Sequence, residues 1–466
     1  MTAEEHAGSG IRSVEGVTVV DPGLVRRAVA AAAVGNVTEW FDFGVFAYLA
    51  TTIGKVFYPE SSPTSQLLAT FGTFAAAFLV RPLGGMFFGP LGDRIGRTRV
   101  LATTMIMMAA GTFCIGLIPS HDAIGLAAPM LLLLARLVQG FSTGGEYGGA
   151  MTFIAEYAPD KRRGFLGSWL EFGTLTGYIL GAVIVAVLTA AMPEPDLLSW
   201  GWRIPFLVAG PLGIVGMYLR MKLEETPAFA ALVEKHEAQQ KEPVKGEFKE
   251  IFLQQWPAML VCGALVLVFN VTNYMLTAYM PTYLTDALPP VIGETESYVL
   301  QIVVMAVMLV VITFIGSISD RVGRKPVIMV GCVALVVLSV PSVLLIQQNT
   351  VSTVFAGLLI MGLTLVIFSA TMPSTLPALF PTHVRQGALS ISFNISVSLF
   401  GGTVATVMTA LIAATGDLMW PAYYLIGAGI IGAIGVWFTK ESAARPLPGA
   451  TASVGTEEEA KAAAGR

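Results

Sequence analysis

The chain has 466 residues, 55% of them hydrophobic and only 12% charged, with a mean hydropathy of +0.72. A soluble globular protein carries about 25% charged residues, so the composition excludes an ordinary soluble domain and points to the membrane. The formal net charge of −4 decides little, because the charges are sorted along the chain.

Residues 1–27 are polar and contain Glu4, Glu5 and Glu15, unlike the basic start of a secretion signal. Crossing a bilayer takes about 20 apolar residues in a helix. Runs that meet or approach this length lie at 28–53, 68–91, 100–118, 124–149, 165–191, 204–220, 256–285, 298–318, 327–346, 351–379, 388–414 and 419–438. Membrane helices tolerate the Gly and Pro inside several of them. The expected fold is an all-α integral membrane protein with twelve transmembrane helices. Cys114, Cys262 and Cys332 are scattered through the runs, so neither a disulfide framework nor a metal site is expected, and no cofactor.

Lys and Arg alternate between loops. Arg26 and Arg27 precede the first run, Arg94 and Arg97 follow the second, and Lys161, Arg162 and Arg163 follow the fourth. Lys222, Lys235, Lys241, Lys245 and Lys249 follow the sixth, Arg321, Arg324 and Lys325 the eighth, Arg385 the tenth and Lys440 the last. Only Lys55 and Arg203 lie near the intervening loops. The positive-inside rule then places both termini in the cytoplasm. The chain divides into a cytoplasmic segment 1–27, a six-helix half 28–220, a cytoplasmic linker 221–254, a second half 255–440 and a short flexible tail 441–466. The tail has no heptads, so it is not expected to form a coiled coil.

The halves repeat. Gly89–Arg99 reads GPLGDRIGRTR and Gly316–Pro326 reads GSISDRVGRKP, each after the second helix of its half. Pro159–Gly164 is weakly echoed at Pro381–Gly387. A parallel duplication of six helices with this loop motif resembles the major facilitator superfamily over about residues 20–445. The resemblance implies a cytoplasmic latch made by Asp93, Arg94, Arg97, Asp320, Arg321 and Arg324. A solvated positive loop is the plainer reading.

Ionisable groups at membrane depth are costly and are functional candidates by default. They are Glu39 and Asp42 in the first helix, Arg81 in the second, Arg136 and Glu146 in the fourth and Glu171 in the fifth. Helices seven to twelve have none in their interiors. Helical spacing puts Glu39, Asp42, Phe43 and Phe46 on one face, and Arg136, Gln139, Thr143 and Glu146 on another. Glu171, Thr174 and Tyr178 share a third. Such faces are expected to line a central cavity opposite Asn270, Asn273, Tyr274 and Thr277. A carboxylate desolvated there is a candidate to take up and release a proton, and Arg136 is a candidate to exchange partners with it. Glu39, Asp42, Arg136, Glu146 and Glu171 are therefore candidates for proton coupling, with static ion pairs to Arg81 or Arg136 as the alternative. Trp40, Phe43 and Phe46 flank the acids, and their faces suit a quaternary ammonium, although helix packing is the plainer role for any one ring. With Gln139, Tyr178, Asn270, Asn273 and Tyr274 they form the candidate substrate site.

Two catalytic motifs fail. GFSTG at Gly140–Gly144 lies mid-helix without a strand or a histidine partner, and GAGIIG at Gly427–Gly432 has no preceding strand. No enzyme is expected.

RLVQGFSTGGE (Arg136–Glu146) resembles the helix-four motif of proton-coupled facilitators, in which the Arg is linked to proton transfer. The Gly-Pro pair of antiporters is missing from EFGTLTGYILGA, which favours symport. GNVTEWFDFGVFA, RPLGG, GGEYGGA, WGWRIPF, LEETPAF, YMPTYL and STLPALFPTHVR resemble the metabolite–proton symporters, and within them the osmoregulatory proline/glycine betaine branch. The resemblance implies proton-driven uptake of a small zwitterionic osmolyte across a bacterial inner membrane, with one chain as the transport unit and no nucleic-acid partner. Other members carry citrate, 2-oxoglutarate or shikimate. Four acids against two arginines in the interior fit a zwitterion better than an organic acid. A non-transporting sensor would need a signalling domain, and the loops leave no room for one.

Overall fold

The computed structural model describes residues 11–14, 17–95, 97–221, 253–289, 291–382 and 384–464; side chains of 11–14, 89–90, 92–99, 101–102, 216–221 and 463–464 lie outside the description. Nearly all of the linker at 221–254, and the side chains of Asp93, Arg94 and Arg97, thus lie outside the described residues.

Two short strands, β1 (Ile11–Val14) and β2 (Val17–Val20), precede the helices. In the first half come α1 (Pro22–Tyr48, continued by Ala50–Phe57), α2 (Pro63–Ile95) and α3 (Arg97–Leu117). They are followed by α4 (Ala127–Thr143, continued by Glu146–Tyr157), α5 (Arg163–Ala191) and α6 (Arg203–Met221). The second half holds α7 (Trp256–Ala287), α8 (Glu294–Val322) and α9 (Arg324–Gln347). It ends with α10 (Val351–Thr375), α11 (Arg385–Thr415) and α12 (Trp420–Phe438). Among the described residues, eight helices are long and apolar enough to cross a membrane, or nine if the bent pair Glu194–Gly201 and Arg203–Val215 is one span. The shortfall from twelve has a local cause. Leu49 interrupts α1, which also holds two acids, and the apolar part of α3 among the described residues is only Thr103–Leu117. Gly144 and Gly145 interrupt α4.

The helix ends follow ordinary capping chemistry. Asp21 accepts from the Leu24 amide at 3.1 Å, with Pro22 opening α1. Thr350 and Thr353 cap each other at the start of α10. Between α8 and α9 the chain turns at Gly323, whose φ of +113° is open only to glycine. That requirement explains the glycine in the second copy of the D-R-x-G-R motif. Wide π turns interrupt α7 at Met275–Tyr279 and Tyr283–Ala287, and α11 at Val397–Gly401. Such turns concentrate at functional sites.

The halves meet along two seams. α5 packs along α8, and α2 packs against α11. Gly164 and Gly316 allow the closest approach of the first seam: a Cβ on Gly164 would lie 2.7 Å from the Gly316 carbonyl oxygen.

The tail departs from the expectation of a flexible end. Ser453–Val454 (β3) pairs in parallel with β2, which pairs antiparallel with β1, and a helix α13 (Glu457–Ala464) follows. Side chains of both halves hold the tail's backbone. Arg163 Nη1 donates to the Arg445 carbonyl at 3.1 Å, Arg385 Nη2 donates to the Pro448 carbonyl at 2.8 Å, and Asp160 accepts from the Ser453 amide at 3.0 Å. These bonds go to backbone atoms, so no hydrophobic period announces them.

Candidate functional site

The charged interior lies in the first half. Glu39, Asp42, Arg81, Arg136, Glu146 and Glu171 are all buried. Among the described residues, the second half buries only Arg324 and Arg385, both at the start of a helix at the end of the bundle near the termini. Burial of so many ionisable groups in apolar helices is expensive unless each is hydrogen-bonded or paired.

The partners are specific. Arg81 Nη2 lies 3.4 Å from Glu39 Oε1, an ion pair between α2 and α1. Asp42 instead accepts from Thr112 Oγ1 of α3 at 2.7 Å. Gln139 Nε2 donates to the same Thr112 oxygen, and Arg136 Nη1 donates to Gln139 Oε1 at 2.9 Å. A relay Arg136–Gln139–Thr112–Asp42 thus crosses three helices. Glu171 accepts from the Tyr147 hydroxyl. Asp42 and Glu171 accept from neutral hydroxyls rather than from a cation in direct contact, and Asp42 interacts with the charge of Arg136 without touching it. Thr112 and Tyr147 were missed by sequence reasoning, because a lone Thr or Tyr in an apolar run carries no signal of its partner.

The aromatic rings divide into two groups. Phe43 and Phe46 face the protein's own guanidinium: Arg136 Cζ lies 4.1 Å from the Phe46 centroid and 5.2 Å from those of Phe43 and Phe74. Arg81 lies over Phe43 and Phe78 at 5.8 and 5.3 Å. In this conformation those faces are not open to a substrate cation, because the arginines already satisfy them. Trp40 differs. Its ring lies 5.6 to 6.1 Å from Phe43, Tyr147, Tyr178 and Tyr274, joining α1, α4, α5 and α7. Its indole Nε1 donates to Asn36 Oδ1 at 3.2 Å, and Asn36 in turn reaches Thr174 on α5. Asn36 is a third residue the sequence did not single out.

The opposing face on α7 is polar and uncharged. Asn270, Asn273, Tyr274 and Thr277 are buried. Asn270 donates to the Val266 carbonyl at 3.0 Å, and Thr277 to the Asn273 carbonyl at 2.8 Å. From α11, Asn394 Nδ2 donates to the Gly144 carbonyl at the break in α4, and Ser398 Oγ to the Phe78 carbonyl. The expected residues come together, but packed in contact rather than around an open chamber. A cavity of about 730 Å³ between α9 and α12, lined by apolar side chains such as Cys332, Val336 and Trp437, lies away from these charges.

Both ends of the seam between halves are bridged. Near the termini, Asp320 Oδ1 and Oδ2 accept from the backbone N–H groups of Gly164 and Phe165 at 2.7 and 2.9 Å. Arg324 Nη2 reaches Asp320 at 3.3 Å, and Arg385 Nη1 pairs with Glu156 at 2.7 Å. Of the expected latch, Asp320 and Arg324 make these contacts. Arg321 is exposed and outside the cluster, as its position one residue past Asp320 turns it to another helix face. At the far end, Tyr298 donates to the Tyr48 carbonyl at 2.5 Å, Thr51 to Asp286 at 3.1 Å, and the hydroxyls of Thr189 and Thr295 lie 2.9 Å apart.

These features, two six-helix halves around a buried polar seam, are those of a membrane transporter. The model of the sugar (and other) transporter family matches residues 28–452, and the chain belongs to that family. It is 49% identical over 449 residues to the proline/betaine transporter of Escherichia coli (strain K12), covering 96% of this chain and 89% of that one. It is 48% identical over 453 residues to the glycine betaine/proline/ectoine/pipecolic acid transporter OusA of Dickeya dadantii (strain 3937), covering 96% and 90%. Among solved structures it resembles the major facilitator superfamily proton:xylose symporter XylE bound to 6-bromo-6-deoxy-D-glucose, with a TM-score of 0.74, 18% identity, and coverage of 92% and 98%. The fold is that of the major facilitator superfamily.

Proposed function

We propose that this chain is a secondary transporter that brings a small zwitterion, such as proline or glycine betaine, into a bacterial cell together with protons. The halves 28–220 and 255–440 alternate access to the central seam, with both termini cytoplasmic and one chain as the working unit. The observation that carries the reading is the asymmetry of the seam. In the middle of the seam one half buries Glu39, Asp42, Glu146, Glu171, Arg81 and Arg136, and the other presents amides, hydroxyls and aromatic rings. Protons are handled on one side and hydrogen bonds on the other. That the 44–49% identical relatives are named as proline and betaine transporters supports the substrate class.

Asp42 and Glu171 are the leading proton sites, since each accepts from neutral hydroxyls and no direct ion pair holds its charge. Arg136 keeps the relay to Asp42 in register through Gln139. Trp40, Tyr178 and Tyr274 offer a substrate cation its aromatic contacts. Asp320 and Arg324 close the cytoplasmic end. Uptake by the purified chain in proteoliposomes tests this directly. Proline or betaine should accumulate against a gradient when the interior is alkaline, and collapse of the proton gradient should abolish the accumulation. Full accumulation driven by sodium alone, or preference for a dicarboxylate, would overturn the reading.

A further inference from the structure

A second cavity lies at the end of the bundle remote from the termini. It has a volume of about 270 Å³ and opens between the halves. Thr51, Lys55 and Gln66 line it from α1 and α2, and Thr285, Asp286 and Glu294 from α7 and α8. Pockets for drug-sized ligands run from about 300 to 1,000 Å³, so this one suits something smaller.

Its charges are arranged by sign. The first half contributes one ammonium, Lys55, and the second half two carboxylates, Asp286 and Glu294. Lys55 Nζ lies 2.7 Å from Glu194, which does not line the cavity. That pair is exposed, with side-chain accessibilities of 42% and 64%, and such pairs exchange partners at little cost. Asp286 accepts from Thr51 and Thr285, both through Oδ2. Its Oδ1 has no hydrogen bond among the described residues. Glu294, half-buried in the wall, has no hydrogen bond or ion pair among them either. One displaceable cation thus faces two carboxylates with acceptor capacity to spare, across a gap of small-molecule size.

We propose that this cavity is a second binding site, for a small zwitterion whose cationic end carries N–H donors. The ligand carboxylate displaces Glu194 from Lys55, and its ammonium donates to Asp286 Oδ1 and to Glu294. A secondary or primary ammonium uses both acceptors, whereas a quaternary ammonium gains only charge attraction, so an imino acid binds here in preference to a betaine. Both halves supply ligands only when this end is closed. Occupancy therefore favours the closed mouth, as any ligand favours the state that binds it better. The assignment of the ligand class rests on the zwitterion reading above.

The test uses a cysteine-free full-length chain, with Cys114, Cys262 and Cys332 replaced, carrying a single Gln66→Cys in the wall or, in parallel, Thr189→Cys. Thr189 bridges to Thr295 across the same mouth without lining the cavity, so it reports closure alone. Each is labelled in proteoliposomes with a membrane-impermeant maleimide at rising proline. We expect proline to slow labelling at Gln66→Cys about tenfold more than at Thr189→Cys. Lys55→Met and Asp286→Asn each remove that difference. Glu194→Gln shifts protection to lower proline, because Lys55 is released. A purely structural ion pair would give no such gain. Equal protection at both positions, persistence in Asp286→Asn, or equal protection by sodium ions alone would each overturn the site. Uptake by the cysteine-free parent is measured separately, so loss of transport there counts against the transporter reading and leaves protection at Gln66→Cys to be judged by itself.

Discussion

Asp320, at the end of α8, holds the first turn of α5 in the opposite half: its carboxylate accepts from the backbone N–H groups of Gly164 and Phe165 at 2.7 and 2.9 Å. The bond pair uses the unsatisfied donors and the positive end of a helix, and it can exist only while the halves touch at that end.

Asp320→Asn should therefore loosen the cytoplasmic side. A helix N-cap interaction with charge is worth about 1–2 kcal/mol, enough to shift an open–closed equilibrium several-fold. A cysteine placed at the buried Ser168 should react faster with maleimide added from the cytoplasmic side, while the ranking of substrates stays as in the parent. A changed ranking would place Asp320 in the substrate site instead.

The relay to Asp42 makes a second prediction. Asp42→Asn should abolish uphill accumulation and spare exchange of labelled for unlabelled substrate, which needs no net proton movement. Thr112→Val removes the hydroxyl that joins Asp42 to Gln139 and should shift the pH profile of uptake without abolishing it. Glu39→Gln, by contrast, leaves Arg81 buried without its counter-ion, and breaking a buried pair costs about 3–5 kcal/mol. It should lose folded protein in a thermal melt as well as transport. Normal accumulation by Asp42→Asn at matched expression would sink the proton assignment.

The rings should separate by role. Phe46→Ala removes the closest aromatic face from Arg136 and should lower thermal stability by about 2–4 kcal/mol, from lost burial and cation–π contact. Its effect on betaine and proline should be equal. Trp40→Ala should weaken betaine more than proline, by about 0.5–2 kcal/mol. Competition uptake with both substrates reads this difference.

The tail has its own pH dependence. Burial pushes the Glu441 carboxyl up, but backbone N–H donors from Ala443, Arg324, Lys325 and Ser442 outweigh it and hold the group below its usual value. A lowered folded pKa gives stability that is present above the unfolded pKa and lost as pH falls through the folded one. The docked tail should thus be indifferent to pH near neutrality and release only below the ordinary carboxylate range. Glu441→Gln should lose the charge-dependent part at every pH. Limited proteolysis of the tail at stepped pH measures both, and release between pH 6 and 8 in the parent would contradict the Glu441 account.

Local composition alone was enough to locate the spans, the duplication and the charged faces of α1, α4 and α5. Bilayer cost acts residue by residue, and helical spacing sets which side chains share a face. Glu39, Asp42, Arg136, Glu146 and Glu171 could be picked out because an ionisable residue in an apolar run is conspicuous without any knowledge of its neighbours. Their partners could not. Thr112, Tyr147 and Asn36 look like ordinary packing residues until helices distant in sequence bring Asp42 onto Thr112, Glu171 onto Tyr147 and Thr174 onto Asn36. The same holds for Phe43 and Phe46, whose neighbouring acids in sequence pointed to a free cation site while the fold turned them onto Arg81 and Arg136. Asp320 on the N-terminus of α5, and the tail on Asp160, Arg163 and Arg385, are contacts to backbone groups. Every residue offers such groups alike, so only the tertiary arrangement could decide which of them would be used.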